Sequence, residues 1–178
     1  MLKSENIILR PFILSDAEEL LLMQNKNRSF FSNYSTTRSD NYWSLEAQQE
    51  LIVKREQNKQ KDIEYYFGIY KDNSQLIGTI SLFQVMRGDF QSAFIGYFLD
   101  QEHNGNGFAT QSVKLIVNYA FNTLHLHRIE AGVQPHNIGS IRVLEKAGFH
   151  KEGIAMKNVR INGIWEDHQV LAIINPNE

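Results

Sequence analysis

The sequence predicts one mixed α/β (α+β) domain, in which a mostly antiparallel sheet of about seven strands carries helices on both faces. Two helical segments precede a run of three strand candidates, and a long amphipathic helical pattern then separates two further strand-like runs. A strong hairpin signal lies close to the end of the chain. The resulting order, β-α-α-β-β-β-α-β-α-β-β, contains no internal repeat, low-complexity tract or linker, so residues 1–178 are expected to fold as one domain.

The first third of the chain predicts a strand followed by helices. Residues 6–12 have the composition of a strand that ends at Pro11-Phe12. Ser15 and Glu18 have the spacing of a capping box, and an apolar helical face follows them. Residues 27–43 are polar and aromatic without a clear period, which favours a loop with short helical pieces, whereas residues 44–59 have a helical pattern.

The middle of the chain predicts three strands, a helix and a further strand. The strand candidates span residues 64–70, 75–85 and 89–99, and Asp72-Asn73 and Arg87-Gly88 stand where hairpin turns are expected. A helix over residues 109–121 is predicted from the helical spacing of its apolar residues, and residues 128–133 form the next strand-like run.

The last third of the chain predicts a short helix and a hairpin. Asn137 is a good helix N-cap and Gly148 a good residue to follow the helix C-terminus. The chain returns to strand composition from Phe149 onwards. Asn162-Gly163 is the strongest hairpin signal of the chain and joins residues 157–161 to residues 168–174.

The composition excludes several classes of protein. The net charge is −2 and the pI about 6.3, so the chain has no general basic field for nucleic acid. It has no cysteine, which removes disulfides, thiol nucleophiles and cysteine-based metal sites, and its six histidines lack a metal-binding spacing. The start of the chain lacks a signal-peptide apolar region, and no apolar run reaches the length of about 18 residues that a span needs. We therefore expect a cytoplasmic protein with no metal, no nucleic-acid partner and no membrane span.

The most informative motif is the glycine-rich turn Asn104-Gly105-Asn106-Gly107-Phe108-Ala109-Thr110, which lies between the strand-like run at residues 94–99 and the amphipathic helix. A strand, a glycine turn and a helix N-terminus present backbone N–H groups at the positive end of the helix dipole, which favours a phosphate. The dinucleotide motif fails because Thr110 stands at its third glycine, and the absence of any Gly-Lys pair excludes the nucleotide-triphosphate loop. From the residues alone, a plain tight turn is the alternative.

The element order and this turn together resemble the GNAT acyltransferase fold. The acetyl-CoA motif of that family, [QR]-x-x-G-x-[GA], is matched at Gly107 and Ala109, whereas Asn104 replaces the usual Gln or Arg. A second block, Asn-Ile-Gly-Ser at residues 137–140 followed by Val-Leu-Glu-Lys-Ala-Gly-Phe at residues 143–149, is typical of one large branch of the family. Four further segments are similar to the ribosomal-protein-alanine N-acetyltransferases: residues 127–131, 135–137, 151–153 and 163–168.

The resemblance implies acetyl transfer from acetyl-CoA to an amine in a ternary complex. The fourth and fifth strands are then expected to splay apart, so that the pantetheine arm pairs with the free edge of the fourth strand. The backbone of residues 105–110 is expected to hold the pyrophosphate. The expected cofactor contacts are Tyr97, Phe98, Leu99, Asn104, Gly105, Asn106, Gly107, Phe108, Ala109, Thr110 and Asn137.

The resemblance places the catalytic roles on Ser140 and Asn137. Ser140 would donate a hydrogen bond to the CoA sulfur and so stabilise the leaving thiolate, while Asn137 would hold the pantetheine. The alternative for both residues is structural, since Asn137 is an ordinary N-cap and Ser140 would occupy the third helical position after it.

The sequence offers no evident general base. Related sequences often carry Glu at the position of Phe94, and the candidates elsewhere are Glu64, Asp89, Glu130 and His136. An α-amine, with a pKa of about 7.7–8.0, is partly neutral near neutral pH, whereas a lysine amine at about 10.4 is roughly 4 kcal/mol harder to deprotonate. The missing base therefore favours an N-terminal amine, or another amine of low pKa, over lysine as the acceptor.

Several alternatives stay open at this point. The acceptor is either a protein N-terminus or a small amine, such as a polyamine, an amino acid or an antibiotic; a non-catalytic acyl-CoA-binding module is the third hypothesis. The aromatic residues of the segment 27–43 fall where this fold builds its acceptor site, or they form core under a long loop. Asp167 and His168 either pair with each other or contact the acceptor. The resemblance also allows a homodimer.

Overall fold

One sheet of eight strands organises the fold in this computed structural model, which describes residues 1–71 and 75–177. The strands are β1 (Leu2–Lys3), β2 (Ile7–Arg10), β3 (Glu64–Lys71), β4 (Gln75–Met86), β5 (Ser92–Leu99), β6 (Arg128–Val133), β7 (His150–Ile161) and β8 (Ile164–Ile174). Across the sheet they run in the order β1-β2-β3-β4-β5-β6-β8-β7, and every neighbouring pair is antiparallel except β5 and β6. The α-helices of the described residues are α1 (Ala17–Lys26), α2 (Arg28–Ser32), α3 (Leu45–Gln60), α4 (Phe108–Asn122) and α5 (Ile138–Lys146).

The sequence-based element order is confirmed, with one strand more than the seven expected. The additional strand is the two-residue β1, in which Leu2 pairs with Leu9 of β2. Asn162 and Gly163 both have positive φ, as a tight hairpin turn between β7 and β8 requires. The turn predicted at Asp72-Asn73 lies outside the described residues. No helix in the described ranges is long and apolar enough to cross a membrane.

The capping box predicted at Ser15 and Glu18 is wrong. Helix α1 begins at Ala17 after a 3₁₀ turn at Leu14–Asp16, and its first turn has no side-chain cap. The Asp16 carboxylate instead accepts hydrogen bonds from the backbone N–H of Ile13 (2.8 Å) and from Nη1 of Arg10 (2.7 Å). An ion pair to the end of β2 therefore fixes the start of α1.

Each face of the sheet carries its own apolar core. Helices α4 and α5 cover one face, where their apolar residues form a cluster with Ile129 of β6 and Leu171 of β8. Helices α1 to α3 cover the other face, where Phe98 of β5 packs against Phe31 of α2. Because neighbouring strand residues point to opposite faces, Tyr97 packs against the α4–α5 core while Phe98 faces α2.

Strands β5 and β6 separate after a short parallel contact. They pair only at Ser92–Arg128, Ala93–Ile129 and Phe94–Glu130. Beyond this contact, residues 95–99 of β5 and residues 131–133 of β6 diverge, and their facing edges leave a gap through the sheet. The expectation of splayed fourth and fifth strands is confirmed; β1 makes them the fifth and sixth in the structure.

Candidate active site

A cavity of about 670 Å³ occupies the gap between β5 and β6. This volume is in the range of small-molecule sites, about 300–1,000 Å³. Its wall combines the splayed parts of both strands with the glycine turn, residues of α2, the first turn of α4 and much of α5. The sequence-predicted residues in the wall are Tyr97, Phe98, Leu99, Asn104, Gly105, Gly107, Phe108, Ala109, Thr110, Asn137 and Ser140; Asn106 is not among them.

The glycine turn presents open backbone at one end of the cavity. Gly105 and Gly107 have φ of +82° and +79°, and no atom lies within 4 Å of the place where a Cβ would stand on either. Gly107 is the N-cap of α4, and no side chain caps the helix. Its first backbone N–H groups therefore lack intrahelical acceptors and remain available to an anion. The side chain of Asn106 instead stiffens the turn, since its Nδ2 donates to the carbonyls of His103 (3.2 Å) and Asn104 (3.3 Å).

The start of α5 brings Asn137 and Ser140 into the wall. Asn137 Oδ1 accepts a hydrogen bond from the backbone N–H of Ser140 at 3.2 Å, so the N-cap predicted from the sequence is confirmed. This cap uses neither the Asn137 Nδ2 group nor the Ser140 hydroxyl. The Asn137 Nδ2 group is without a protein partner in the described part of the chain, whereas the Ser140 side chain also contacts the phenol of Tyr97.

Tyr97 connects β5 to α5 on the α4–α5 side of the sheet. Its hydroxyl donates a hydrogen bond to the backbone carbonyl of Ser140 at 3.2 Å. Burial raises the pKa of Tyr97 to about 12. The phenol is therefore protonated throughout the neutral pH range, and it keeps the first turn of α5 tied to the strand.

The cavity wall on the α1–α3 face is aromatic. Phe31 packs against Phe98 with ring centroids 5.1 Å apart, and Phe30 contacts both Phe31 and Tyr34 at 5.9 and 5.8 Å. The ring of Tyr34 lies 6.3 Å from that of His136. These four aromatic side chains and His136 all line the cavity. Phe30, Phe31 and Tyr34 of the segment 27–43 therefore contribute to the cavity wall and not only to the hydrophobic core.

The rest of that aromatic segment lies elsewhere. Tyr42 and Trp43 pack edge to face at 5.1 Å and are not part of the cavity wall. Gln48 Nε2 donates to the Tyr42 carbonyl at 2.7 Å, which fixes the 3₁₀ turn at Asp40–Trp43 against α3. The segment is therefore divided between the cavity wall and structural packing.

The charge on the cavity wall is positive. Among the described residues that line the cavity, the basic side chains of Lys or Arg are those of Arg142 and Lys146, and no Asp or Glu is present. The two cations lie four residues apart on α5 and therefore on one helix face. Neither forms an ion pair within the described residues. Sequence reasoning missed this pair; the available signal was their spacing in the helix that follows the Asn137 cap.

An ion-pair link ties α1 to the segment that enters the glycine turn. Lys26 Nζ donates to Asp100 Oδ2 at 2.8 Å and to Glu102 Oε2 at 2.7 Å. Asn27 Oδ1 accepts from the backbone N–H of Gln101 at 2.9 Å. Burial alone would raise the pKa of Asp100, but the hydrogen bonds from Lys26 and neighbouring groups outweigh it and hold that pKa below its usual range. Helix α1 and the residue that follows it are thus joined to the segment that precedes the glycine turn.

Three of the four base candidates lie outside the cavity wall. Glu64 accepts a hydrogen bond from Asn58 Nδ2 at 3.0 Å. Asp89 is exposed in the turn between β4 and β5. Glu130 forms an ion pair with Arg128 at 2.9 Å. The position where related sequences carry Glu holds Phe94, whose ring stacks on Phe83.

Two imidazoles do line the cavity, those of His136 and His168. His136 is exposed in the loop before α5, whereas His168 is a buried residue of β8. The expected alternative of an Asp167–His168 pair has no support, since the Asp167 carboxylate accepts from the backbone N–H of Lys157 at 2.8 Å. Across residues 1–71 and 75–177, no group of three His, Asp or Glu side chains is arranged to hold a metal ion.

Comparison with known proteins defines the class of this fold and site. The Acetyltransferase (GNAT) domain family matches residues 6–150, and the chain belongs to that family. It is an N-acetyltransferase that uses acetyl-CoA, as the family resemblance implied.

Individual relatives differ in the acceptors that their names state. The probable N-acetyltransferase YjcK of Bacillus subtilis is 58% identical over 179 residues, which cover 100% of this chain and 99% of YjcK. The structure of ribosomal-protein-S5-alanine acetyltransferase from Vibrio fischeri superposes with a TM-score of 0.93 at 31% identity and covers 98% of this chain and 96% of that one. Spermidine N(1)-acetyltransferase of Vibrio cholerae is 27% identical over 150 residues, with 84% and 83% coverage.

Proposed function

We propose that the enzyme acetylates the N-terminal α-amine of a protein, with a ribosomal protein that begins with alanine as the first candidate. The observation that carries this proposal is the absence of any carboxylate among the described residues of the cavity wall. A polyamine brings several cations, and cations that leave water without a counter-charge are costly. A protein N-terminus brings a single amine, which must be neutral to react, and the aromatic wall suits a small apolar side chain beside it.

The cofactor is proposed to enter from the α4–α5 face. The backbone N–H groups of residues 105–110 would hold the pyrophosphate, and Arg142 and Lys146 would supply the positive charge that its phosphates need. The free edge of β5 at Tyr97, Phe98 and Leu99 would pair with the amides of the pantetheine arm. Acetyl-CoA then supplies an activated acetyl thioester at the gap between β5 and β6.

The first turn of α5 is proposed to serve the leaving group. The Ser140 hydroxyl, which the helix cap does not use, would donate a hydrogen bond to the CoA sulfur and stabilise the developing thiolate. Asn137 would combine both sequence-based hypotheses, because its Oδ1 caps the helix while its Nδ2 remains able to donate to a pantetheine carbonyl.

The remaining expectations belong to the same proposal. Residues 1–178 would form one catalytic domain, and the enzyme would act in the cytoplasm, where ribosomal proteins and acetyl-CoA are both present. A homodimer is a further expectation, which light scattering of the purified protein tests directly.

Release of free CoA thiol tests the acceptor. Acetyl-CoA is supplied with peptides that begin with alanine or serine, with Nα-blocked peptides that carry one lysine, and with spermidine. We expect turnover with the free N-terminal peptides and a kcat/KM at least about 100-fold lower for the blocked peptides, since about three pKa units separate the two amines. Preferred turnover of spermidine would overturn the proposal and move the enzyme to small-amine acetylation.

A further inference from the structure

We propose that His168 is the general base that takes the proton from the acceptor amine. This assignment rests on the proposed function, because it names the proton acceptor at the same site. The described residues of the cavity wall include no carboxylate, and the imidazoles there are those of His136 and His168. At neutral pH an imidazole is the ordinary side chain that can accept a proton in such a place.

The sheet register places His168 on the acceptor side of the gap. In β8, Leu171 faces the α4–α5 core, and alternation puts Val170 and His168 on the opposite face. Val170 pairs with Gly132 of β6, which places Gly132 on that face as well. This is the face that carries α1 to α3 and the aromatic wall at Phe98. His168 therefore lies across the gap from the strand edge that is proposed to bind the cofactor.

The neighbourhood of His168 keeps its ring within reach of the cavity. The side chain is only 6% exposed, yet it contributes to the cavity wall. Gly132 has no side chain to cover it, and a Cβ there would lie 3.6 Å from Cδ2 of the imidazole. A larger residue at position 132 would extend over this edge of the ring. The ring is thus shielded from bulk water but open to an amine in the cavity.

The hydrogen bond of the ring selects the tautomer that a base needs. Nδ1 of His168 lies 3.4 Å from the backbone carbonyl oxygen of Glu166. A carbonyl oxygen only accepts, so Nδ1 carries the proton in this contact. The neutral ring then has its lone pair on Nε2. The contact also orients the ring, as the outer partner of a catalytic histidine does.

The charged groups around His168 leave it to act without a carboxylate partner. On β8, the Asp167 carboxylate is bonded to Lys157 of β7, and on β6 Glu130 is paired with Arg128. The cavity wall also includes His136 from the loop before α5, and Arg142 and Lys146 from α5 itself. In the described residues no carboxylate bonds to the His168 ring.

In the proposed step, His168 accepts the proton that the amine loses as the acetyl group is transferred. The lone pair of the neutral amine forms a C–N bond to the thioester carbonyl carbon, and the nitrogen loses a proton to Nε2 of His168. The C–S bond breaks, and the electron pair leaves on sulfur beside the Ser140 hydroxyl. The imidazolium returns its proton to water, and the thiolate is protonated to free CoA.

Matched histidine variants test the assignment. His168→Gln and His136→Gln each remove one of the two imidazoles from the wall, and both are assayed from pH 5.5 to 9 with a peptide that carries a free N-terminus. We expect kcat/KM of the wild type to fall on the acid side of this range, because a protonated base cannot accept the proton of the amine. In His168→Gln this decrease at acid pH should disappear. Its kcat should fall about 100-fold, which is a typical contribution of a general base. Its KM for acetyl-CoA should stay within about twofold, and His136→Gln should keep the decrease at acid pH.

A second variant controls for misfolding, because His168 is buried and its replacement could lower activity by disturbing the fold. His168→Ala leaves a space that free imidazole can enter, and added imidazole should restore part of its rate in proportion to the concentration of the neutral form. The assignment is overturned if His168→Gln retains the acid limb of the wild type. It is also overturned if added imidazole fails to restore activity to a His168→Ala protein that binds acetyl-CoA normally.

The two proposals can fail separately. If the free N-terminal peptide is not acetylated by the wild type, the proposed acceptor is wrong, and the same variants are compared on whichever amine of the panel does turn over. If the peptide is acetylated and His168→Gln keeps both rate and pH profile, the acceptor stands and His168 is not the base.

Discussion

The hydroxyl of Tyr97 donates a hydrogen bond to the backbone carbonyl of Ser140, 3.2 Å away, and so holds the first turn of α5 against β5. This contact stands beside the gap between β5 and β6, where the thioester is proposed to lie. It connects the strand edge that would bind pantetheine with the helix turn that would stabilise the thiolate. In the proposed reaction Tyr97 would therefore be a positioning residue that acts through Ser140.

Replacement of Tyr97 by phenylalanine tests this contact. Tyr97→Phe should lower the free energy of unfolding by about 1 kcal/mol, the usual net contribution of one hydrogen bond. Because burial raises the pKa of Tyr97 to about 12, the folded protein retains a proton that an unfolded tyrosine loses near pH 10. The contribution should be complete below pH 10 and decline as pH rises from about 10 towards about 12. Urea unfolding of both proteins at pH 7, 9 and 10.5 measures it; an equal difference at all three values would contradict the argument.

Removal of the Ser140 hydroxyl separates catalysis from folding. Ser140→Ala keeps the backbone N–H that the Asn137 cap uses, so the melting temperature should not change. The rate should fall about tenfold or more in kcat, with an unchanged KM for acetyl-CoA, because a donor to the leaving thiolate acts mainly in the transition state. A variant with wild-type kcat would show that the hydroxyl has no part in the reaction.

The glycine turn offers a comparison of two equally strained positions. Gly107→Ala forces an alanine into a φ of +79°, which should cost about 1–2 kcal/mol. Gly88→Ala is the matched control, since Gly88 has a φ of +66° and open space around it but lies in the turn between β4 and β5, away from the cavity. Both variants should lose similar stability, and only Gly107→Ala should raise the KM for acetyl-CoA. A raised KM in both would mean that general destabilisation is the cause.

The cationic face of α5 should govern cofactor affinity. Lys146→Ala should raise the Kd for CoA about fivefold at low salt, because a charge-assisted hydrogen bond to phosphate contributes about 1 kcal/mol or more. The effect should shrink at high salt, where exposed charges are screened. Lys114→Ala is the control, since Lys114 is exposed on α4 and outside the cavity wall. Isothermal titration with CoA at 50 and 500 mM salt distinguishes the two variants; equal effects would indicate only a loss of overall charge.

Local backbone features of the site could be predicted from the sequence because they depend on few neighbouring residues. The Asn137 cap, the tight glycine turn and the Asn162-Gly163 hairpin each follow from one or two residues and their conformational preferences. The order of helices and strands followed from hydrophobic periodicity for the same reason.

Features that depend on distant pairing could not be predicted in this way. The capping box at Ser15 was wrong because Asp16 pairs with Arg10, a contact that periodicity does not contain. His168 could be named as a possible contact of the acceptor but not as a base, since the face on which it lies depends on the register between β6 and β8. The absence of carboxylates from the cavity wall is likewise a property of the assembled wall rather than of any segment.

A competition within a single peptide tests the central claim most directly. A peptide that begins with alanine and carries one internal lysine offers both amines to the same enzyme at the same concentration. After reaction with acetyl-CoA, tandem mass spectrometry locates the acetyl group. We predict acetylation at the N-terminal α-amine, with the lysine modified at least about 100-fold less because its amine is about three pKa units more basic. Acetylation mainly at the lysine would contradict the proposed acceptor.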